Sequence, residues 1–162
     1  MTLPKKPHGK NNIEIEKKFL IDESAWTPQN KRILKIKQGY LNSDPHRTVR
    51  VRLERDTWHK KAYLTIKGIT IADTRLEYEY SIPFDQAQDL LLFCDKTLSK
   101  QRHIETHGKD TWEIDVFEDG LIIAEIELPS SKAPFLKPSF IGEEVTYDPQ
   151  YFNSNLINRQ PE

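Results

Sequence analysis

The sequence predicts an α+β protein built on an eight-stranded antiparallel β-barrel that closes on itself, with flanking helices. Eight strand-length segments follow one another between residues 12 and 129, separated mostly by short turns. One helical pattern interrupts them, and nearly every strand sets charged side chains on one face against apolar ones on the other, as period-two alternation requires. Antiparallel strands joined by short turns curl and close because closure removes exposed edges.

In chain order, residues 1–11 carry Pro4, Pro7, Gly9 and paired lysines, the composition of a flexible N-terminal arm, and 12–162 read as a single domain. The first strand, 12–21, puts Glu14, Glu16 and Lys18 on one face and Ile13, Ile15, Phe19 and Ile21 on the other. The second spans 35–42 and ends at the turn Asn42-Ser43-Asp44-Pro45. The third, 46–56, sets Arg50 and Arg52 against Val49, Val51 and Leu53, and the fourth, 60–68, sets Thr65 and Lys67 against Leu64 and Ile66. The fifth, 73–82, carries Arg75, Glu77 and Glu79 opposite Leu76, Tyr78 and Tyr80. A helix over Asp85–Phe93 follows, with Phe84, Ala87, Leu90 and Leu91 as its apolar face and Asp85 as its cap. Strands at 97–107, 111–118 and 121–129 carry Lys100 and Arg102, then Glu113 and Asp115, then Glu125 and Glu127; Gly108-Lys109-Asp110 and Glu118-Asp119-Gly120 turn between them. Pro129, Pro134, Pro138 and Pro149 break the C-terminal third into loops and short helices.

Composition excludes several functional classes. The 162 residues are 36% hydrophobic and 30% charged, yet three Trp, seven Phe and six Tyr argue against a disordered chain. With 24 Lys and Arg against 25 Asp and Glu, no global field recruits nucleic acid or a membrane surface. Cys94 is alone, so no internal disulfide forms, which suits a reducing compartment. The N-terminus lacks the apolar stretch of a signal peptide, and no apolar run approaches the ~20 residues of a membrane span. A cytoplasmic protein is expected.

The charges fall in blocks of one sign. Glu14/Glu16, Glu77/Glu79 and Glu125/Glu127 are acid-only, while Arg50/Arg52 and Lys100/Arg102 are base-only. A solvated face built for stability would alternate signs, because like charges two apart on one face repel. The blocks point to an inward, charged face around ligands of opposite charge. Converging carboxylates suit Mg²⁺ or Mn²⁺, converging Lys and Arg suit phosphate oxygens, and metal-assisted phosphoryl chemistry uses both. The apolar outer face must then be covered by the helices and C-terminal segments. A non-enzymatic polyphosphate-binding barrel is the rival; it gives no reason for so many acids on the same face.

Glu14-Ile15-Glu16-Lys17-Lys18 fits the E-x-E-x-K signature, and Val49-Arg50-Val51-Arg52, Leu64-Thr65-Ile66-Lys67-Gly68, Arg75-Leu76-Glu77-Tyr78-Glu79, Lys100-Gln101-Arg102, Trp112-Glu113-Ile114-Asp115-Val116-Phe117 and Ala124-Glu125-Ile126-Glu127-Leu128 follow in order. With Ile141–Thr146 and Tyr151–Asn155, these motifs resemble the short bacterial members of the CYTH superfamily, the triphosphate tunnel metalloenzymes, over about residues 12–157. The resemblance implies hydrolysis of inorganic triphosphate to pyrophosphate and phosphate within an eight-stranded tunnel, with class IV adenylate cyclase or thiamine triphosphatase as alternatives. It implies that Glu14, Glu16, Glu125 and Glu127 ligate metal, and that Glu77, Glu79 and Asp115 serve a second metal or the attacking water. Lys18, Arg50, Arg52, Lys67, Arg75, Lys100 and Arg102 would hold the phosphates. Tyr40 matches a tyrosine that triphosphate-hydrolysing relatives pair with the fourth-strand lysine, here Lys67. His103 stands where short relatives often carry Tyr.

The remaining signals read as structural. His103 and His107 lack zinc spacing and suit edge or surface positions. Cys94 suits a buried structural thiol, and Trp26, Trp58 and Trp112 suit core or rim packing.

Overall fold

The computed structural model describes residues 12–159; the expected N-terminal arm, 1–11, lies outside the described residues. The strands are β1 (Ile13–Ile21), β2 (Ile33–Asn42), β3 (Arg47–Arg55), β4 (Lys60–Gly68), β5 (Thr74–Ser81), β6 (Thr97–His107), β7 (Asp110–Phe117), β8 (Ile122–Glu127) and β9 (Ile141–Glu144). Helix α1 (Phe84–Leu91) lies between β5 and β6, and the short α2 (Asn153–Leu156) comes near the C-terminus. No helix among the described residues is long and apolar enough to cross a membrane.

The ladder runs β5-β4-β3-β2-β6-β7-β8-β1, and β1 closes the ring by pairing with β5 through Glu14↔Arg75 and its two neighbours. The eight predicted strands are all present and all pairs are antiparallel. β9, which the proline-broken C-terminal third did not announce, is added: it pairs with β1 where β1 has left β5. The sequence shows a four-residue segment there with no alternation, and only β1's free edge makes it a strand. Gly108 and Gly120 turn the β6–β7 and β7–β8 hairpins at φ 64° and 87°, a region where a Cβ clashes with the backbone.

Three apolar clusters hold the barrel. Phe19, Trp112, Ile114, Ala124 and Ile126 on the outer face of β1, β7 and β8 pack under Phe135, Phe140 and Ile141. Val51, Leu53 and Ala62 on β3 and β4 pack under Ala87 and Leu91 of α1, with Phe84 and Leu90 against them. The predicted helical face therefore forms, but Pro83 stands at the cap position without a side-chain bond, and Asp85 sits in the first turn. The third cluster is inside. Leu98, Phe117 and Ile123 point the same way as Lys100, Asp115 and Glu125, two residues along each strand, and Leu156 and Ile157 fill the barrel end they form. The interior is thus charged along most of its length and apolar at that end.

Other outer positions depart from expectation. Trp58 is almost fully exposed and packs in neither core nor rim. His103 is buried, its ring edge-on to Trp26 at 5.3 Å, because the loop after β1 folds over β6. Glu105 pins that loop by accepting from Trp26 Nε1 and from the Gln29 backbone N–H. Cys94 is only partly buried, with its thiol near the Leu90 carbonyl.

Candidate active site

An eight-stranded barrel has a lumen that side chains can just fill. Here they fill it with ion pairs. Arg102 spans Asp115 (2.7 and 2.8 Å), Glu125 (2.9 Å) and Glu113, while Lys100 bonds the same Asp115 at 2.5 Å and Asn153 of α2 at 3.3 Å. Lys18 bonds Glu125 and, at 2.9 Å, Glu16. Further round, Glu14 receives Lys67 (3.0 Å) and Arg75 (2.5 Å), and Lys67 also meets Glu77 at 2.7 Å. Glu79 faces Arg50 at 3.5 Å and Arg52 at 3.2 Å, and Arg52 also meets Glu54. Most of the single-sign blocks are therefore reconciled across strands: basic β6 lies beside acidic β7, Lys67 on β4 beside Glu77 on β5, and Lys18 on β1 beside Glu125 on β8, although acidic β7 and β8 adjoin. The sequence argument left only a ligand to neutralise each block, whereas the neighbouring strand does most of that work.

Burial sets the protonation of these groups. Lys100 is buried, and burial with the nearby Arg102 charge outweighs Asp115 to lower its pKa to about 8. Burial also lowers Lys67, against the pull of Glu14. Burial works against the charge on Lys18, but Glu125 and Glu16 override it and hold its pKa above the ordinary value. Burial raises Tyr40 and keeps its hydroxyl a donor.

In the ring β1 and β2 lie four strands apart in either direction, so they face each other across the lumen. A cavity opens between them, lined by Glu14, Glu16 and Lys18 from β1, Tyr40 from β2, Arg50 from β3, Lys67 from β4 and Arg75 from β5. Seven of the fifteen predicted site residues meet there, drawn from five strands. Arg52, Glu77, Glu79, Lys100, Arg102, Asp115, Glu125 and Glu127 do not line it; all but Glu127 join it through the ion pairs above. Sequence reasoning missed Thr48, Thr146, Asn153 and Asp73 on the cavity wall. Thr146 accepts from the Lys18 backbone N–H at 3.1 Å and fixes that strand, and Thr65 bridges Arg50 and Glu79. Thr48 could have been found, since it shares the inward parity of Arg50, and Thr65 already stood beside Lys67 on the charged face without an assigned role. Asn153 falls within the family-like Tyr151–Asn155 segment, which gave it no site role, and nothing local marks Asp73.

Glu127 has no ion-pair partner among the described residues and stands directly opposite Glu16 in the β1–β8 ladder. Like charges facing each other across a ladder destabilise it. Partial burial and then the carboxylates of Glu14, Glu77, Glu16 and Glu113 push its pKa up. This crowd of hard oxygen donors fits a divalent cation of the Mg²⁺ type. Among the described residues no three such groups form a finished ligand cage, and Mg²⁺ commonly takes one or two carboxylates and completes its shell with substrate phosphate. Glu14, Glu16 and Glu77, like Glu79, Asp115 and Glu125, are each paired with lysine or arginine, so Glu127 alone of these carboxylates has no cationic partner among the described residues.

Comparison with known proteins gives the same family from three directions. The CYTH domain profile matches residues 12–159. The chain is 46% identical over 149 residues to an inorganic triphosphatase of Acetivibrio thermocellus, covering 89% of this chain and 92% of that protein. It is 30% identical over 156 residues to an inorganic triphosphatase of Nitrosomonas europaea, covering 88% and 95%. The crystal structure of an inorganic triphosphatase superposes with a TM-score of 0.62 at 29% identity, covering 92% of this chain and 97% of that one.

Proposed function

The chain belongs to the CYTH domain family, and on that premise we propose that it is a metal-dependent triphosphatase hydrolysing inorganic triphosphate to pyrophosphate and phosphate inside its barrel. The observation that carries this reading is the cavity between β1 and β2, where four cations and two carboxylates from four strands meet one partly buried tyrosine. A purely cationic channel would suit a polyphosphate carrier. The carboxylates would repel that polyanion, so their presence supports metal-assisted hydrolysis.

Glu14, Glu16 and Glu127 are the residues that would hold a divalent cation, Mg²⁺ or Mn²⁺, with Glu77 beside them. When bound, such an ion neutralises phosphoryl charge and makes the phosphorus a better electrophile. Lys18, Arg50, Lys67 and Arg75 reach phosphate oxygens directly from the cavity wall. Arg52, Lys100 and Arg102 hold the deeper part of the chain once their carboxylate partners give way. Arginine and lysine fixed in this way stabilise charge developing on the leaving pyrophosphate, and their strands hold them in place beforehand. The Tyr40 hydroxyl, kept protonated by burial, donates to a phosphate oxygen beside Lys67 and sets how the substrate lies. Glu79, Asp115 and Glu125 keep the cations ordered and oriented.

The test is phosphate release from inorganic triphosphate, thiamine triphosphate, ATP and pyrophosphate at saturating Mg²⁺, with cyclic AMP assayed in parallel. The expected order of kcat/KM is inorganic triphosphate, then ATP, then pyrophosphate, because the cationic lining is matched to a chain of phosphates and offers no base pocket. Cyclic AMP as the main product from ATP would replace this reading with a cyclase.

A further inference from the structure

Gln38 sits on β2 two residues before Tyr40, on the same inward face and one rung deeper than the cavity. It is fully buried, and neither atom of its carboxamide has a hydrogen-bond partner among the described residues. Across the ladder it faces Arg52 on β3 and Leu98 on β6. The Nε atoms of Arg50 and Arg52 are also buried without a hydrogen bond, although Arg52 Nε lies 3.0 Å from Glu54. Three unpaired donors and one unpaired acceptor therefore collect on two adjacent strands, in a lumen where Lys18, Lys67, Arg75, Lys100 and Arg102 are all paired with carboxylates.

Packing does not ask for glutamine here. Beside Leu98, an apolar side chain of the same length would fill the space and leave no polar atom stranded. A carboxamide aimed into the lumen from that position is explained by a partner that arrives with a ligand. The three donors select an oxyanion, and the neutral amide adds a contact without adding to the crowded charge.

We propose that Gln38 is a further substrate-binding residue, the one that reads phosphate-chain length. This rests on the triphosphatase reading above. The Nε2–H of Gln38 donates to a phosphoryl oxygen of a chain that extends past Tyr40 and Arg50, and Oε1 accepts from Arg52 Nε–H as that guanidinium turns inward. Successive inward residues on a strand are about 6.6 Å apart, so a shorter anion held at the Tyr40–Arg50 rung does not reach Gln38.

The experiment measures binding of inorganic triphosphate and of pyrophosphate to the full chain by calorimetry in a metal chelator, where no turnover interferes. Gln38→Met and Gln38→Leu should weaken triphosphate binding about tenfold or more, the scale of a hydrogen bond to a charged group. Pyrophosphate binding should stay within about twofold, and the free variants should melt no lower than the parent. Unchanged triphosphate affinity, equal weakening for both anions, or failure of both variants to fold would each overturn the assignment. A parent chain that binds no triphosphate would instead overturn the triphosphatase reading, and Arg50→Ala, which should lose both anions, reports on that reading alone.

Discussion

At the residue scale, the notable quantity is how much charge the lumen holds at zero or near-zero exposure. Lys100 and Asp115 are both buried and bonded to each other, and Arg102 closes the same cluster. Removing one member of such a pair leaves an uncompensated charge and costs about 3–5 kcal/mol, whereas an apolar replacement of the whole set is often neutral. Stability alone therefore does not explain the cluster, whereas the phosphate-binding role proposed for Lys100 and Arg102 would. Lys100 gives a pH test. Its folded pKa, about 8, lies below the unfolded value near 10.5. Below about pH 8 it is charged in both states and the burial penalty is borne in full. Between about 8 and 10.5 the folded form binds fewer protons than the unfolded form, so this group's contribution to stability improves as pH rises. Its contribution to phosphate binding runs the other way. Triphosphate affinity without metal should fall as pH rises through about 8, and Lys100→Arg should flatten that limb because arginine keeps its proton. A parallel fall in the variant would assign the titration elsewhere.

At the scale of elements, β2 is the strand whose position matters most, since Gln38 and Tyr40 both hang from it. Its placement depends on Gly39, which points outward between them and lets the end of α1 approach closely. A Cβ there would stand 2.8 Å from Cys94 Sγ and 2.9 Å from its Cβ. Gly39→Ala should therefore push α1 from the barrel and destabilise the fold by roughly 1–3 kcal/mol, measured by urea denaturation. The same shift should lower kcat/KM by displacing Tyr40. Unchanged stability would show that the segment at Cys94 yields freely. The C-terminal segment is the other positioning element: Leu156 and Ile157 seat it in the apolar end of the lumen while Asn153 reaches Lys100.

For the whole molecule, closure brings β1 opposite β2 and puts the carboxylates of β1, β5 and β8 in one another's field. That field should make stability depend on metal. Saturation of one native-state site at about 100 times Kd adds roughly 2.7 kcal/mol, read as a rise in Tm with Mg²⁺. Glu127→Gln should raise Tm without metal, by relieving repulsion with Glu16, and should blunt the rise with Mg²⁺. A full Mg²⁺ response in both Glu127→Gln and Glu16→Gln would remove these residues from the metal site.

The sequence by itself determined the eight strands of the barrel, the parity of the charged residues singled out along them and hence which of those side chains enter the lumen. Alternation is a local property of an extended backbone, so Glu14, Arg50, Lys67 and Glu125 declare their face from neighbours one residue away. The family was legible for the same reason, because its motifs are charges at period two. Tertiary structure alone decided which charges meet. Ring order sets Lys100 and Arg102 beside Asp115, brings Lys67 to Glu14 across 53 positions of chain, and leaves Glu127 facing Glu16 without a cation. It also made β9 a strand, buried His103 under Trp26 and left Gln38 unpaired in the lumen. None of these follows from local pattern, because ion pairing, burial and an unpartnered amide depend on residues that only closure of the barrel brings within a few ångströms of each other.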